Sequence, residues 1–163
     1  MHLVEFFAID PELAARETRV MHTLVPQGKL PVGSYGLLEF YCPDPNCDCR
    51  RVMLNVAEEK RPDRFLASIS YGFDRDEEDA GPFLDPLNPQ SRYAKELLQL
   101  VEETVLSDPR YVARLERHYH LVKEAASNPT HSAYDKLQKV LAGDADSFPL
   151  PRPARRTRKK PRP

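Results

Sequence analysis

Apolar and polar positions alternate through the first half of the chain and recur every three to four residues through the second. In Glu17–Leu24, one face carries Thr18, Val20, His22 and Leu24, the period of a strand. Pro26, Gly28, Pro31 and Gly33 then mark a long turn region. Tyr35–Cys42, Arg51–Ala57 and Arg64–Phe73 are rich in β-branched, aromatic and aliphatic residues and predict three more strands. Leu3–Ile9 offers one further strand, and Pro11–Arg16 a short helix. After an acidic and Pro-rich loop over Asp74–Pro89 the period changes. Asn88-Pro89 reads as a helix start followed by Tyr93, Leu97, Leu100, Val101 and Thr104 at helical spacing. Asp108-Pro109 repeats the signal, ahead of a stripe of Tyr111, Leu115, His118, Val122 and Ala125. Thr130 can cap a third helix bearing Tyr134, Leu137, Val140 and Leu141, with Gly143 as its stop. Strands followed by helices predict an α+β domain: an antiparallel sheet of about four strands, with about three helices packed on one face.

Charge divides the chain unevenly. Seven Lys and Arg fall between Arg152 and Arg162 with no acid among them, although the formal total is −1. The remainder holds 17 bases against 25 acids, a body near −8 attached to a tail of +7. The expected organisation is therefore one domain over residues 1–146 and a disordered Pro/Arg/Lys-rich tail over 147–163. No apolar run approaches the roughly 18 residues that suggest a membrane span. Met1–Asp10 lacks Lys and Arg and contains Glu5, so it does not read as a secretory signal. The expected compartment is the cytoplasm, where thiols stay reduced.

That compartment changes how the cysteines are read. All three, Cys42, Cys47 and Cys49, fall within eight residues, spaced C-x4-C-x-C between two predicted strands. Three thiols are too few for a disulfide framework, and clustered reduced thiols point to metal or redox chemistry. A turn of Pro, Asp and Asn can fold three sulfurs inward, and thiolates are the ligands zinc accepts best, although iron also suits them. A disulfide between Cys47 and Cys49, with one residue between them, would be strained, which favours metal over redox chemistry. Three thiolates around Zn²⁺ leave one negative charge, which Arg50 and Arg51 can offset.

Tetrahedral zinc takes a fourth ligand. Among five histidines, His118 lies on the apolar stripe of the second long helix and is the leading candidate. His22 on its strand, His120 on a solvated helix face, Asp44, Asp48 and water are the alternatives. A shell filled by protein would make the zinc structural; a water in the fourth place would leave a site capable of catalysis.

The block GSYGLLEFYCPDPNCDCRRVMLNV (Gly33–Val56), with LDPLNPQSRYA (Leu84–Ala94) and RHYHLVK (Arg117–Lys123), resembles the N-terminal region of uncharacterised bacterial proteins that often end in a SEC-C zinc motif. The resemblance implies a zinc-associated protein with no assigned reaction. The SEC-C motif itself, a C-x-C pair followed by C-C or C-H, is not in the sequence.

Other signals narrow the function classes. The acidic run Asp74–Asp79 lacks the sixth-position Gly and twelfth-position Glu of a calcium loop and reads as solvated surface. Val32-Gly33-Ser34-Tyr35-Gly36 is not a nucleophile elbow, because the serine directly follows the first glycine. There is no P-loop, no GxGxxG and no H-x-E ahead of the cysteines. The tail can bind phosphates or another acidic partner through charge, but it carries no aromatic for base stacking. The expected function is that of a non-catalytic protein with a structural Cys3His zinc site formed by Cys42, Cys47, Cys49 and His118. The alternatives are a nucleic-acid-associated protein anchored by Arg152–Arg162, and a zinc or thiol enzyme.

Overall fold

A computed structural model describes residues 2–144. The basic tail and the boundary expected near residue 146 lie outside the described residues. The described part is an α+β fold on one antiparallel sheet, as the change of period predicted. Its strands are β1 (Val4–Glu5), β2 (Val20–Thr23), β3 (Gly33–Tyr41), β4 (Arg51–Glu58), β5 (Arg61–Gly72) and β6 (Phe83–Leu84). The helices are α1 (Phe6–Ile9), α2 (Pro11–Glu17), α3 (Ala94–Thr104), α4 (Pro109–Ser127) and α5 (Tyr134–Leu141). The order across the sheet is β1-β3-β4-β5-β6. Strand β2 pairs with the first half of β3, through Val20 opposite Gly36, on the side where β1 pairs with its end, through Val4 opposite Tyr41.

One sheet face is apolar because side chains alternate along a strand. Tyr35, Leu37 and Tyr41 on β3, Val52, Leu54 and Val56 on β4, and Ala67, Ile69 and Tyr71 on β5 are all buried there. Leu97 and Val101 of α3, Leu115 and Val122 of α4 and Leu137 of α5 join them in one core. Burying each such side chain contributes roughly 1.5–3 kcal/mol before entropy is counted. The opposite face carries polar pairs instead: Ser68 Oγ donates to Asn55 Oδ1 at 2.6 Å, and Arg51 Nε to Ser70 Oγ at 3.1 Å.

Six strands and five helices replace the four and three expected, and each difference has a local cause. The segment Leu3–Ile9 divides: Val4–Glu5 pairs with β3, and Phe6–Ile9 turns into a single helical turn that buries Phe6 and Ile9. The Asn88-Pro89 signal does not start a helix. There Gln90 acts like a strand residue: its Oε1 accepts from Ser68 N, and its Nε2 donates to the carbonyls of Ser68 and Asp85. Asp85 N and Ser91 N extend that pairing to the carbonyls of Ser68 and Leu66, so the chain runs along β5 and α3 begins only at Ala94. Similarly, Asn128 Oδ1 accepts from Thr130 N and Thr130 Oγ1, which holds a turn and delays α5 to Tyr134. Two other starts fall where expected. Asp10 and Asp108 accept from Leu13 N and Arg110 N, each followed by Pro at the first helical position.

Candidate metal centre

The cysteine loop joins the ends of two neighbouring strands, β3 leaving at Tyr41 and β4 entering at Arg51. A tight return needs turn chemistry, and the sequence provides it. Asp44 Oδ1 accepts the Asn46 amide at 2.9 Å, and the Asp44 carbonyl accepts the Cys47 amide at 3.2 Å. At the exit Arg50 takes a left-handed conformation, φ 41°, and its carbonyl accepts from Phe73 N of the strand pair's far end. The loop thereby turns its three sulfurs toward one another. The Sγ atoms of Cys42, Cys47 and Cys49 all lie within 4.8 Å of each other. Cys42 is buried and the other two are half-buried, and none is in a disulfide.

Helix α4 braces this loop from the side. Lys123 Nζ donates to the carbonyls of Asp44 and Cys47, and lies 5.1 Å from the centre of the Tyr119 ring. Arg50 pairs with Glu116 at 2.7 Å. Glu116, Tyr119 and Lys123 recur at helical spacing and form a second working face of α4, beside its core stripe. Local spacing does not reveal this face, because what Glu116 and Lys123 meet is set by the packing of the cysteine loop.

The thiols are electrostatically unequal. Cys42 is held low, at about 5, chiefly because Cys49 donates its S–H to it; the Asp44 backbone, the Lys123 charge and Cys47 add to this. Cys49 is pushed up for the same reason, aided by burial. The cluster thus favours a thiolate at Cys42 beside a thiol at Cys49.

This donor set could hold a metal ion. Four ligands at the usual Zn–S length of about 2.3 Å sit about 3.8 Å apart. Sulfurs already inside 4.8 Å meet that condition with small side-chain rotations. Cys42, Cys47 and Cys49 would hold the ion, and their shared loop would be fixed by it.

His118 is placed elsewhere. It is buried, 1% exposed, and stacks flat on Phe6 with ring centres 4.0 Å apart. Its Nδ1 lies 2.6 Å from Glu39 Oε2, and its Nε2 lies 2.6 Å from Glu17 Oε2. Both ring nitrogens are thus engaged by carboxylates rather than turned to the cysteine loop. Glu39 also accepts from Tyr41 Oη at 2.7 Å, and Glu17 is flanked by Arg114 and Arg117. The three thiols form a group that His118 does not join. The other proposed donors lie outside the group as well. His22 Nδ1 is 2.7 Å from Ser34 Oγ, His120 is exposed, and neither Asp44 nor Asp48 belongs to it.

The His118 cage has little room for chemistry of its own. A cavity of about 20 Å³ adjoins it, lined by Glu5, Thr18, Leu38 and Glu39 among others. That is space for one water molecule and not for a substrate. Sequence reasoning missed Glu17 and Glu39 as its partners: they come from α2 and β3, far away along the chain. The one available signal was a glutamate at 39 on a strand face otherwise occupied by Tyr35, Leu37 and Tyr41.

No family model, no curated protein and no solved structure matches the chain. No helix among the described residues is long and apolar enough to cross a membrane.

Proposed function

We propose that this chain is a non-catalytic zinc-binding protein in which Cys42, Cys47 and Cys49 hold the ion and the ion fixes their loop against α4. The observation that carries this is the convergence of three reduced sulfurs in a loop already closed by Lys123. Thiolates are soft donors that select zinc, copper(I) or iron among biological metals, and a zinc site of this kind contributes to folding. The likeness of Gly33–Val56 to zinc-motif proteins supports the same reading. Free thiols persist in a reducing compartment, which supports a cytoplasmic location. The test is metal content after purification without chelator. One zinc per chain is expected, absent from Cys47→Ser. Chelation should lower stability by about 2.7 kcal/mol if free zinc had stood at a hundred times Kd. Iron in place of zinc, or equal metal in the variant, would overturn it.

The charge asymmetry of the sequence supports a second, separable property. Seven bases between Arg152 and Arg162 form an anchor for nucleic acid or another polyanion. Truncation after Phe148 should abolish salt-sensitive binding to DNA or RNA; equal affinity without the tail would refute it.

A further inference from the structure

The chain's thiol and imidazole donors can be counted completely. Every cysteine and histidine of the sequence lies among the described residues. All three cysteines are in the cluster, and no histidine is. His118 has both nitrogens on carboxylates, His22 faces Ser34, and His131 Nδ1 accepts from Ala133 N as the cap of the turn before α5. His2 and His120 are exposed and outside the cluster. The loop's carboxylates do not fill the place either. Asp44 is turned into its own loop, toward the Asn46 amide, and Asp48 is exposed and not part of the group.

Cys47 and Cys49 differ in setting, because Cys49 packs against the core. These two are half-buried, while Asn46 and Asp48 around them are exposed. The inner side is closed by Cys42, Pro43 and the Lys123 ammonium. A ligand from solvent would therefore reach the cluster at the Cys47 edge of the loop, where Asn46 and Asp48 are exposed. Three thiolates and a divalent ion sum to −1, and the Lys123 ammonium beside them offsets that charge. Among small anionic donors, a thiolate best matches a centre already softened by three sulfurs.

Resting on the zinc reading above, we propose that the fourth ligand is a low-molecular-weight thiol, bound as its thiolate and exchangeable with solvent. The step is a ligand exchange without redox change. The thiol S–H bond breaks, its proton goes to solvent, and a metal–sulfur bond replaces the bond to water.

Cobalt(II) in place of zinc makes the coordination shell visible. The wild-type full chain, loaded with one cobalt under anaerobic conditions, is titrated with 2-mercaptoethanol and, in parallel, with imidazole. Added thiol should raise the sulfur-to-cobalt charge-transfer absorbance by about one third, as four thiolates replace three, and saturate. Native mass spectrometry should then show one thiol per cobalt. A spectrum unmoved by saturating thiol with cobalt retained would overturn the proposal, as would a shift by imidazole alone or removal of cobalt by the thiol. Failure of the underlying reading looks different: wild type and Cys47→Ser would both lack sulfur-to-cobalt bands from the start.

Discussion

Two polar centres hang on helix α4, and they solve opposite problems. The His118 cage is deep in the core, and both of its ring nitrogens are matched by a carboxylate from a distant element, Glu17 on α2 and Glu39 on β3. The cysteine loop lies at the sheet's end, and its sulfurs face one another with no carboxylate among them. The first centre is complete within the chain. It ties three elements together through charge-assisted hydrogen bonds in a poorly solvated place. The second offers electron pairs for which the natural complement is a cation. The difference teaches that a buried histidine beside a thiol cluster in sequence logic is not therefore its ligand. What decides is whether its nitrogens are already engaged.

The largest effect should come from breaking the complete centre. His118→Leu fills the space against Phe6 but leaves Glu17 and Glu39 facing an apolar group, and it should cost about 3–5 kcal/mol. Urea unfolding measures the loss, and zinc content measured on the folded fraction should stay at one per chain. Loss of zinc from folded protein would join the two centres after all. A smaller effect is expected at the brace. Lys123→Met keeps the stem over Tyr119 but removes the donor to the Asp44 and Cys47 carbonyls. Zinc affinity should fall by about tenfold, in the lower range for outer-shell partners, with the fold intact by circular dichroism. An unchanged Kd from competition with a chromophoric chelator would remove Lys123 from the site.

The smallest effect concerns the metal-free cluster and its protons. Cys42 is lowered to about 5, so its thiolate should be present at neutral pH and disappear as the pH falls through that value. Cys49 is shifted the other way and should remain a thiol through the neutral range. Ultraviolet thiolate absorbance should report a thiolate at pH 7 that fades as the pH falls through about 5. Cys42→Ser should abolish it; a signal appearing only at alkaline pH would mean that the thiols do not share a proton in this way.

How much of this could be read from the sequence follows from contact range. The cysteine loop was legible because its three donors and its turn residues are consecutive, between strands whose alternation is plain. The core stripe of α4 was legible too, His118 included, since helical spacing predicts a face without knowing what it meets. The partners of that face were not. Glu17 and Glu39 reach His118 only through the packing of α2 and β3, and a single sequence carries no register between them. Gln90 shows the same limit from the other side. A strong local helix signal at Asn88-Pro89 lost to side-chain hydrogen bonds with β5, and nothing local to residue 90 announces that edge.

The same Gln90 contact bears on how the molecule behaves in a crowded solution. The long strands β3, β4 and β5 lie inside the sheet, and its rims are stubs: two residues in β1, four in β2 and two in β6. Where β5 outruns β6, Gln90 occupies the Ser68 amide and carbonyl that a foreign strand would need. Where its borders are short or already taken in this way, the sheet offers little template for edge-to-edge association.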